Sequence, residues 1–93
     1  MKVLWTDSAV AQLQAIHDYV AQTSPEYAVG IVDRLTRRSI QIAAFPNSGR
    51  MVPEYERKEI REVIEGRYRI IYLVAVAQVQ ILAVIHSARD LRP

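Results

Sequence analysis

Apolar side chains along this chain keep two different periods, and the change comes at Phe45-Pro46. Before it, Ala9, Leu13, Ile16 and Val20 recur at intervals of four, three and four, which lays one stripe along an amphipathic helix. Gln12, Asp18 and Gln22 fall on the other side. Asp7 stands where a side-chain oxygen can cap the first turn. The helix stops near Thr23, because Ser24-Pro25-Glu26 is a fresh start: a capping Ser, a Pro suited to the first helical position, and an acid in the first turn. Ala28, Ile31, Leu35 and Ile42 carry the second stripe, with Asp33, Arg34, Arg37, Arg38 and Gln41 outside it. So short a link makes the two helices an antiparallel hairpin.

After Phe45-Pro46-Asn47-Ser48-Gly49 the helical period does not return. A loop runs to about Arg57, and three β-branched and aromatic runs follow: Glu59 to Glu65, Tyr68 to Val76, and Val79 to His86. Gly66-Arg67 turns the first of these into the second, and Ala77-Gln78 joins the second to the third. Lys2 to Thr6 is a short first strand. The expected fold class is α+β, in the order β-α-α-β-β-β: a helical hairpin packed on an antiparallel sheet, in which the first strand adds a fourth to a three-stranded meander. With 93 residues the chain, 1–93, is expected to form a single domain. The near-continuous apolarity of the last two strands says that the helix pair covers most of one face of the sheet.

The chain has no Cys, which removes disulfides, thiolate zinc sites, iron–sulfur clusters and a cysteine nucleophile. Only two His are present, so a His-built metal site is not expected, and no cofactor is expected either. The opening MKVLWTDSA lacks an apolar core of a secretory signal, and the apolar stretch 70–85 is too short and too β-branched to span a membrane. The expected compartment is the cytoplasm. Charge is unevenly placed. Residues 1–33 carry Lys2 against Asp7, Asp18, Glu26 and Asp33, a net of −3, whereas residues 34–93 carry eleven bases against six acids, a net of +5. Ten of the twelve bases are Arg, whose planar fork suits phosphate and carboxylate.

Four arginines and one histidine are the candidate functional residues: Arg61, Arg67, Arg69, His86 and Arg89. Arg61 lies on the third-last strand, Arg67 and Arg69 open the next, and Arg89 follows the last, so a meander can bring them to one region. Gathered there, they could hold and polarise a phosphate or grip an acidic protein surface. Spread along the sheet, they would serve instead to keep its edge from pairing with neighbours. Arg69 fits that last role poorly because it interrupts an apolar run. His86, at a strand end, suits either general acid–base work or a bond to a neighbouring loop. His17, beside the first helical stripe, reads as a packing or surface residue. Tyr68, Tyr72 and Trp5 read as core, and the interleaved Glu54, Glu56, Glu59, Glu62 and Glu65 oppose a simple nucleic-acid coat.

The segments VLWTDSAVAQLQAIHDYV, FPNSGRMVPE, IREVIEGRYRIIYLV and VQILAVIHSAR, in this order across residues 3–89, resemble toxins of the RelE/ParE superfamily of bacterial type II toxin–antitoxin systems. The resemblance implies two helices on an antiparallel sheet, and a chain that arrests growth until a cognate antitoxin protein neutralises it. The two branches differ in chemistry. RelE-like toxins cleave mRNA in the ribosomal A site; ParE-like toxins poison DNA gyrase and are not known as nucleases.

Carried over by position, Arg69 matches an arginine important in the nucleases and Arg89 a second. The lysines those nucleases carry on the preceding strand fall near Ile60 and Glu62, and a terminal catalytic Tyr would fall past Pro93. The GRMVPE loop and the IHSAR ending resemble the ParE branch more closely. The expectation is therefore a gyrase poison whose target-binding residues are Arg61, Arg67, Arg69, His86 and Arg89, with DNA gyrase and an acidic antitoxin segment as partners. A toxin–antitoxin oligomer of higher order is a possible assembly, and no membrane partner is expected. The alternative is a ribosome-dependent endoribonuclease acting on mRNA, with Arg61, Arg69 and Arg89 on the phosphate and His86 moving a proton.

Overall fold

A computed structural model describes residues 1–88. The first strand, β1 (Lys2–Trp5), passes at once into helix α1 (Asp7–Ala21). Thr6, not Asp7, is the cap: its Oγ1 accepts from the Ala9 amide at 3.2 Å and donates to the Ile81 carbonyl at 2.9 Å. One hydroxyl thus starts the helix and ties it to the last strand. Asp7 becomes the acid of the first turn, where the helix dipole favours it. Helix α2 (Pro25–Ala44) starts as its sequence predicts, with Ser24 Oγ accepting from the Tyr27 amide at 3.2 Å and Pro at the first position. It ends at Phe45, before a 3-10 turn over Pro46–Ser48.

The sheet has five strands in the order β1-β5-β4-β3-β2, where β2 is Arg50–Met51, β3 Ile60–Glu65, β4 Tyr68–Val74 and β5 Gln78–His86. The three-stranded meander is antiparallel as expected, while β1 lies parallel to β5, Lys2 opposite Gln78. The two residues of β2, inside the expected loop, add an edge strand opposite Glu62 and Arg61. A pair so short leaves no alternation to read in a sequence. No described helix is long and apolar enough to cross a membrane.

Each face of the sheet has its own core. Val63, Ile70, Tyr72, Val79, Ile81 and Val84 meet Ala9, Ile31, Leu35 and Ile42 of the helices. Ile60, Ile71 and Ile85 form the opposite face under Val52, which the loop after β2 supplies. The continuous apolarity of β4 and β5 therefore reflects cover on both sides, by the hairpin and by this loop. A bulge decides how β5 is divided between the faces. Ile71 pairs with Ala83 but Tyr72 with Ile81, so Leu82 is the extra residue. Val79 and Ile81 face the helices before it and Val84 after it. The shift carries His86, opposite Tyr68, to the helix side.

Candidate functional site

The structure divides the predicted residues between the two faces. Arg69 points to the loop side. Its Nε donates to Glu62 Oε1 at 2.7 Å, and its Nη1 and Nη2 each donate to one oxygen of Glu54 at 2.8 Å. The other oxygen of Glu62 receives Arg50 Nε at 2.6 Å. Arg69 and Glu62 are almost wholly buried, and the two acids balance the two bases. This explains an arginine inside an apolar run: it is the partner of a buried acid on the adjacent strand. Such a fork is the strongest geometry an arginine can adopt with carboxylate. The hydrogen bonds it donates to Glu54, opposed by burial and aided by Glu62, raise the Arg69 pKa above its ordinary value.

Arg61, one residue before Glu62, faces the other way. Its Nη1 donates to the Gly49 carbonyl at 2.8 Å. Beside it, Tyr72 Oη accepts from the Gly49 amide at 3.0 Å and donates to the Pro46 carbonyl at 2.7 Å. Burial pushes the Tyr72 phenol above its usual value, and the bond from Gly49 pulls the other way. Gly49 is required by close approach rather than by a turn, since a Cβ there would collide with Tyr72 Oη and the Glu62 carbonyl.

Arg67 and His86 meet elsewhere, in a cleft of about 690 Å³ at the end of the sheet. Tyr19 and Val20 of α1, Tyr27, Ile31 and Arg34 of α2, and Gly66, Arg67 and Tyr68 of the β3–β4 turn line it with His86. Gly66 holds φ at +59°, the left-handed backbone that the tight turn needs. The His86 ring stands edge-on to Tyr68, centroids 6.2 Å apart at 73°. His86 Nδ1 accepts from the Ala88 amide at 3.2 Å, leaving Nε2 as the other ring nitrogen. Backbone holds the turn: Ser87 N donates to the Arg67 carbonyl at 2.7 Å.

Of the five residues read from the sequence, then, Arg67 and His86 share a cleft, Arg61 and Arg69 lie on opposite faces, and Arg89 is outside the described residues. His17 sits apart on α1, within 3.1 Å of Asp18. Its hydrogen bond, with that of Gln14, holds the Asp18 carboxyl below its usual value. Sequence reasoning missed Glu54 as the holder of Arg69, and Arg34, Tyr19 and Tyr27 as cleft residues. The available signal was their helical position: Tyr27 and Arg34 are seven apart, two turns along one face.

Residues 3–91 match the family described as ParE toxin of type II toxin-antitoxin system, parDE. The chain is 36% identical over 88 residues to Toxin RelE2 of Caulobacter vibrioides, covering 95% of this chain and 97% of that relative. Its fold is similar to a chain of the chromosomal ParDE TA system from P. aeruginosa, with a TM-score of 0.76 at 28% identity over 92% of this chain and 95% of the other. The names agree on a toxin and differ on its branch.

Proposed function

This chain belongs to the ParE toxin family of type II toxin–antitoxin systems, and from that premise we propose that it poisons DNA gyrase by binding, with no chemistry of its own. The observation that carries this reading is the engagement of Arg69 by Glu54 and Glu62, with Arg61 turned to the opposite face. Phosphoryl cleavage needs donors aimed together at one developing charge. These two arginines are instead built into the packing of the sheet. The target contact then falls to the cleft residues Arg67 and His86.

A toxin of this family works against a cognate antitoxin. The net of +5 over residues 34–93 favours an acidic segment as the neutralising contact. Gyrase acts on DNA in the cytoplasm, and the proposal places the chain there. The direct test incubates purified gyrase, ATP and supercoiled plasmid with the purified chain, then digests the protein. Accumulation of linear DNA supports the reading; unchanged supercoiling with no linear product contradicts it.

The name of the Caulobacter relative favours a second reading, a RelE-like endoribonuclease. There His86 would move the proton while the RNA 2′-hydroxyl attacks, and His86→Gln would cost about 10²–10⁴ in cleavage rate.

A further inference from the structure

We infer that the cleft between the helical hairpin and the β3–β4 turn binds single-stranded nucleic acid, with phosphate on Arg34 and Arg67 and a base against its tyrosines. Charge argues first. Most arginines of the described residues are already paired: Arg37 with Asp33, Arg38 with Glu65, Arg50 and Arg69 with Glu62, Arg57 with Glu59. Arg61 is bonded to a carbonyl. Arg34 and Arg67 form no ion pair among the described residues, and both line this one cleft. No carboxylate of the described residues lines it. Of the five glutamates that oppose nucleic-acid binding in the sequence, Glu54, Glu59, Glu62 and Glu65 sit in pairs elsewhere, and Glu56 does not line the cleft.

The remaining lining fits the flat part of a nucleotide. Three of the chain's five tyrosines and one of its two histidines are there. Tyr19 and Tyr27 are 75% and 60% exposed, far more than packing would leave them. Aromatic faces beside a positive groove are how proteins hold single strands without reading sequence. A duplex offers its bases only at the edges and could use the two guanidinia alone. An acidic peptide would also answer the charge, but it leaves the four rings without flat partners.

This binding belongs to the isolated chain and goes beyond the gyrase reading, so either can fail alone. The test is fluorescence anisotropy of the purified chain with labelled oligo(dT), oligo(rU) and a duplex, each of about ten nucleotides or base pairs, at several salt concentrations. Binding of either single strand in preference to duplex is expected. Tyr27→Ala should weaken it roughly ten- to a hundredfold, the cost of one stacked base. Arg67→Gln should lower the salt slope by about 0.7. Lys58→Gln, an equal loss of charge in the loop before β3, should leave affinity within about twofold. Circular dichroism of each variant confirms the fold. Equal loss in the Lys58 variant would mean general attraction to a basic protein and would overturn the inference. So would equal binding of duplex, no binding at low salt, or capture of an acidic peptide with none of the oligonucleotides.

Discussion

Arg69 grips both carboxylate oxygens of Glu54 at 2.8 Å, and so clasps the loop after β2 to the face of the sheet away from the helices. Removing the guanidinium leaves Glu54 and Glu62 buried without it, a defect worth about 3–5 kcal/mol. Arg69→Ala should therefore lower Tm by more than about 10 °C in a domain of this size. Thermal unfolding followed by circular dichroism checks it. A shift of only a few degrees would mean that the fork contributes little to stability. Loss of toxicity in this variant is thus expected from misfolding alone, whatever the target.

Tyr72 offers a second test. Replacing it with Phe deprives the buried Gly49 amide and the Pro46 carbonyl of their partner, at a cost of about 1–3 kcal/mol. The phenol also predicts an alkaline limit. Its folded pKa lies above the ordinary value of 10.0, so the folded state holds the proton more tightly than the unfolded one. The stability it contributes is complete below pH 10.0 and is lost as pH rises through the raised folded value. Urea unfolding between about pH 9 and 12 should show this fall in the native chain and a shallower one in Tyr72→Phe.

Gly49→Ala should be harmful although the backbone there is ordinary extended chain. The added methyl meets Tyr72 Oη and the Glu62 carbonyl, and overpacking of this kind costs about 1–3 kcal/mol. Gly30, which has open space around its Cβ position, is the control: Gly30→Ala should stabilise helix α2 by about 0.5–1 kcal/mol. Equal midpoints for the two variants in urea would contradict both expectations.

The hairpin was legible because caps and stripes are local. Ser24, Pro25 and Glu26 mark a helix start by their own chemistry, and Ala28, Ile31 and Leu35 are buried as their spacing requires. Asp7 misled because Thr6 can cap equally well, and the choice fell to Thr6 through its bond to Ile81, a contact 75 residues away. Pairing across the sheet is also non-local, which is why β1 beside β5 and the two-residue β2 could not be read. The site was harder still. Arg69 stood out in the sequence, but its partner Glu54 lies 15 positions off in a loop without period. A single bulge at Leu82 decides which face His86 takes, and no residue type there announces it.

Arg67 and His86 separate target binding from folding. Both are exposed, and neither belongs to the Arg69 network. Arg67→Ala and His86→Gln should leave Tm within a few degrees while reducing trapped gyrase–DNA product by a few kcal/mol of binding at most. Undiminished poisoning in both variants would move the contact surface away from the cleft.

The most direct measurement follows thymidine and methionine incorporation side by side in a bacterial host, over the first minutes after the chain is induced without antitoxin. Gyrase poisoning predicts that thymidine uptake falls first while methionine uptake continues. An early stop in methionine uptake with DNA synthesis still running would contradict it, and would make His86 the proton carrier of an mRNA-cleaving toxin.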